Sequence, residues 1–110
     1  MTDVAAVLRE VLEPALQDAI AALSGTGIGP GDRRRLADRL AAAAEVAQRR
    51  LGEEAREPRL HAIVGVAASA SMALALGDGV VPISEVRERL QEGLQKTAGS
   101  WPPEDQDPAG

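Results

Sequence analysis

The chain has 110 residues and a mass of 11.4 kDa, enough for one domain built around one hydrophobic core. It has no cysteine, one histidine (His61) and one aromatic residue (Trp101). That excludes disulfides, thiolate and multi-histidine metal centres, and the aromatic platforms on which single-stranded bases stack. A formal net charge of −5, with a pI near 4.8, is the wrong sign for a general nucleic-acid binder.

In chain order, Val4, Val7, Leu8, Val11, Leu12, Ala15, Leu16, Ala19, Ile20 and Leu23 recur at three- and four-residue steps. This spacing predicts one helix with a wide apolar stripe, capped by Thr2 or Asp3. Pro14 lies inside it and predicts a kink, or a second segment starting near Glu13. Glycines 25, 27, 29 and 31 then alternate through a connector that stops the helix.

Asp32 is the expected cap of a second helix running to Leu51, with Leu36, Leu40, Ala43, Ala47 and Leu51 as its seam and Gly52 as its terminator. Residues 2–24 carry a net charge of −3 and residues 32–52 a net +3, so the two helices should attract weakly when antiparallel. Pro58 opens the third helix after a short charged link. From Leu60 to Leu76 the chain carries no formal charge and reads apolar or small all round, which predicts burial on every side.

Ser84 should cap the fourth helix, whose stripe is Val86, Leu90, Leu94 and Ala98. Residues 101–110 contain three prolines and three acids and are expected to form a disordered acidic tail, leaving residues 1–100 as the domain. The predicted architecture is all-α: an up-down four-helix bundle with a kinked first helix and a central apolar third helix. Alanine is the commonest hydrophobe, with 21 copies, so the core is thin and self-association is attractive.

Three features could carry chemistry. The glycine connector precedes a helix start bearing Arg33, Arg34 and Arg35, with Arg39 one turn on. Backbone N–H groups and guanidinium groups together suit an anion. A nucleotide fingerprint would need a strand before the loop, and here a helix precedes it. His61 stands one turn after Glu57, and Ser69 and Ser71 follow, but no nucleophile elbow surrounds either serine. The apolar third helix falls just short of a bilayer core in length, and its run of Ala, Ser and Gly barely favours lipid, so no membrane association is expected.

By subtraction, the sequence predicts a small non-enzymatic helical interaction or adaptor protein, homodimeric through an Ala/Leu seam. Val4, Leu8, Val11, Leu12 and Leu16 are its partner-binding residues. No catalytic residue, cofactor or metal is expected, and nucleic acid is not an expected partner. The N-terminus lacks a basic leader segment and carries Asp3 and Glu10 early, which places the expected location in the cytoplasm. Two other readings are open: a regulator contacting nucleic acid or a phosphate ligand through Arg33, Arg34, Arg35 and Arg39, and a ligand-binding or catalytic cleft near His61.

Overall fold

A computed structural model describes residues 3–25, 28–76 and 82–97. The described residues form α1 (Val4–Val7), a π turn (Leu8–Leu12), α2 (Glu13–Leu23), α3 (Pro30–Leu51), a 3-10 turn (Gly52–Arg56), α4 (Pro58–Leu76) and α5 (Ile83–Thr97). The first three are continuous, so four helices pack together in an all-α bundle. The expected tail of residues 101–110 and the glycines at 77 and 79 lie outside the described residues.

Asp3 caps the first helix, its carboxylate accepting from the Ala6 N–H at 3.1 Å. The break anticipated at Pro14 takes the form of a π turn. Proline has no N–H to give the carbonyl four residues earlier, and its ring crowds that carbonyl. The backbone responds one residue upstream, where the Glu13 N–H donates to the Leu8 carbonyl, five residues back. An ordinary α-helix then resumes at Glu13.

The second predicted helix starts three residues early, its cap at Gly29 in place of Asp32. Gly29 is the N-cap in an extended conformation and Pro30 follows it, while Asp32 sits in the first turn, where a carboxylate favours the helix dipole. Proline pre-sets the helical φ, which advances the start past the expected cap. The helix ends as predicted: Gly52 adopts φ 58°, a conformation a side chain would strain, and its N–H still reaches the Gln48 carbonyl. Pro58 opens α4, and the Glu57 carboxylate caps it by accepting from the Leu60 N–H at 3.0 Å. In α5, Pro82 and Ile83 take the start, so Ser84 lies within the first turn and does not cap.

Neighbouring helices pack in a ring: α2 on α3, α3 on α4, α4 on α5, and α5 back on α2. Asp18 pairs with Arg39 at 2.6 Å and Glu10 with Arg50 at 3.2 Å, so α2 and α3 run antiparallel with the charge complement their sequences implied. The core is Leu8, Leu12, Leu16, Leu40, Leu51, Leu60, Ile63, Leu74 and Leu90, interleaved with alanines of α2, α3 and α4 that let the axes approach.

Candidate interaction surface

The arginine cluster does not converge on a ligand. Arg33 is buried, and its Nε donates to the Leu74 carbonyl at 3.4 Å. Leu74 is in the last turn of α4, where carbonyls have no intrahelical partner. A cation from α3 therefore closes the C-terminal end of α4, where the helix dipole also favours it. Arg35 lies 3.8 Å from Asp32 and Arg39 pairs with Asp18, both on the surface. Arg34 is exposed. The four side chains thus have separate employments: one inside, two beside carboxylates and one in solvent. Beside them an open hollow of about 260 Å³, lined by Ala22, Ile28, Asp32, Arg35 and Leu36, has an apolar floor and a self-neutralised pair at its rim.

His61 is exposed. Its backbone N–H donates to the Glu57 carbonyl, while the Glu57 carboxylate is engaged by the Leu60 N–H. Glu57 therefore caps a helix and does not orient an imidazole. Ser69 is exposed, and the buried Ser71 hydroxyl donates across the interface to the Ala37 carbonyl of α3 at 2.5 Å. Among the described residues no group of three His, Asp or Glu is placed to hold a metal.

The residues expected to bind a partner are mostly inside. Leu8, Leu12 and Leu16 are essentially inaccessible, and Val4 and Val11 are half-buried against the same core. The wide stripe of the first helix is filled by its own bundle, facing α3 and α5. This corrects the placement of the contact surface on that helix.

The opposite correction applies to α4. Burial on every side is not observed. Leu60, Ile63, Val64, Ala67, Ala70, Ser71, Ala73 and Leu74 face the core. His61, Gly65, Ala68, Ser69, Met72, Ala75 and Leu76 face solvent. At 100° per residue the exposed set spans about a third of the helix circumference. Met72 is 67 % and Leu76 62 % exposed, the largest exposures among the described large hydrophobic residues. Position fixes where this stripe lies. Ser71 reaches α3 on one side and Val66 meets Gly93 of α5 on the other, so the stripe is the outward strip between α3 and α5.

By length and composition α4 could also cross a membrane, with a mean hydropathy of 1.5 over its most apolar window, but 44 % of that window is buried inside the bundle. The sequence signal for the exposed stripe was present in part. Gly65, Ala68, Ser69 and Met72 share a face, but with no formal charge from Leu60 to Leu76, periodicity alone could not say which face looked outward. The chain matches no known protein family, no curated protein and no solved structure.

Proposed function

We propose that this chain is a small helical interaction protein that works by presenting a surface to another protein, and that it self-associates. One observation carries the reading: the uncharged outer third of the most apolar helix, centred on Met72 and Leu76, is open to solvent. Surplus apolar face on a bundle of this size marks a contact surface. The arginine reading lacks comparable support, because its four residues are dispersed among other partners.

Oxidative footprinting of Met72 tests it, since an exposed thioether oxidises readily and a covered one does not. Brief peroxide treatment should modify Met72 in the dilute purified chain and spare it in extracts of the cells that make it. Equal modification in both would overturn the reading.

A further inference from the structure

The outer stripe of α4 has a register that suits a second copy of the same chain, running antiparallel. Six of its seven exposed residues fall at levels symmetric about the Ala68–Ser69 step: His61 against Leu76, Gly65 against Met72, Ala68 against Ser69; Ala75 stands opposite Ala62, which is half-buried. When two such helices lie antiparallel about a two-fold axis at that step, the long Met72 side chain of each copy sits over Gly65 of the other. In a parallel pair Met72 would meet Met72 and Gly65 would face Gly65, stacking bulk on bulk and leaving a void, which close-packed interfaces avoid.

Gly65 supplies a separate observation. A glycine in mid-helix costs about 1 kcal/mol relative to alanine. The other buried or mid-helix case has an internal reason, because a Cβ on Gly93 would stand 2.9 Å from Val66 Cγ1. A Cβ on Gly65 would meet nothing within 4 Å. The bundle itself therefore gives no packing reason for a glycine there, whereas a methionine seated on the helix from outside does.

Charge and area select the occupant. The stripe carries no formal charge, so two copies meet without like-charge repulsion. It also has no lysine, arginine or tryptophan of the sort that holds an interfacial helix on lipid headgroups. From helix length and diameter, the stripe covers about 250–300 Å² per copy. A stable interface needs roughly 800 Å² per partner, so a dimer through this stripe is weak and dissociates on dilution.

We infer that the Gly65–Met72 face of α4 is the two-fold, antiparallel homodimer seam of this protein, each Met72 filling the space over the partner's Gly65. The inference rests on the interaction reading above and narrows it to one partner.

The chain has no cysteine, so single cysteines report the register directly. Light scattering should show a monomer–dimer equilibrium that Met72→Glu weakens at least about tenfold, with circular dichroism unchanged because the side chain is exposed. Arg34→Ala should leave the equilibrium as it was. Mild oxidation should cross-link S69C to itself, and G65C to M72C in a mixture of the two variants, but not M72C alone.

Self-linking of M72C would overturn the antiparallel register. A dimer indifferent to Met72→Glu would overturn the seam, as would binding of the chain to phosphatidylcholine vesicles through this face. A chain that stays monomeric at every concentration, with Met72 shielded only in cell extract, would sink self-association, both as this seam and as part of the reading above, and leave only the contact with a different protein standing. Met72 unshielded in both settings would remove both.

Discussion

The inner rim of α3 and the outer stripe of α4 make an instructive contrast. The start of α3 is crowded with arginines and looks functional in the sequence, yet Arg33 is buried on the α4 terminus and Arg39 is paired with Asp18. The outer face of α4 is made of glycine, alanine, serine and methionine and looks inert, yet it is the surface left open. Conspicuous chemistry in a sequence can be absorbed by the fold's own needs. A bland surface is informative when it exposes apolar atoms that the bundle could have covered.

Substitutions can break or sharpen that contrast. The largest effect belongs to the stripe that only appeared to face a partner. Leu16→Ala should lower stability by about 2–5 kcal/mol in chemical denaturation, because Leu16 is fully inaccessible in the core. A loss below about 1 kcal/mol would show that the first helix is not buried as described.

Within the arginine cluster, Arg33→Ala should cost about 1–3 kcal/mol, since it strips a buried donor from the Leu74 carbonyl. Arg34→Ala should change stability by less than about 0.5 kcal/mol. Equal effects at the two positions would erase the distinction between an interior and a solvated arginine.

The two glycines that bracket the α4 packing should respond with opposite signs in dilute, monomeric protein. Gly93→Ala drives a methyl group into the stiff Val66 side chain, whose Cβ is also only 3.3 Å away, and should destabilise by about 1 kcal/mol net of the gain in helix propensity. Gly65→Ala has open space in the monomer and should stabilise it by up to about 1 kcal/mol. Thermal unfolding at low concentration reads both, and matching signs would refute the packing described for one of them.

The smallest effect lies at the α2–α3 surface. Arg39→Ala breaks the Asp18 pair, but both side chains are about half exposed, so the loss should stay below about 1 kcal/mol and shrink as salt is added. A loss that salt leaves untouched would mean that Arg39 acts through packing.

Much of this fold is legible along the chain. The three- and four-residue spacing, Pro58 at a helix start and Gly52 at a helix end are local signals, and the structure keeps each of them. The misses are also local in origin. Asp32 and Ser84 are good caps by residue type, but Pro30 and Ile83 begin their helices first, because proline and the flanking backbone set the start. The π turn is foreshadowed only as a disturbance at Pro14: a break follows from proline chemistry, but the i to i−5 bond from Glu13 to Leu8 is not legible in the spacing.

By itself, the sequence determines that this protein is helical, where its helices run, and that α2 and α3 are electrostatic complements. Those properties follow from residue type and from contacts three or four positions apart. Which face of each helix is hidden was decided by the tertiary structure. The first helix has a stripe wide enough to seek a partner and finds it in its own bundle, whereas α4 is apolar on every side and has neighbours on only part of its circumference. Burial is a relation between helices distant in the chain, and a helix with no polar face contains no local instruction about which side to turn outward.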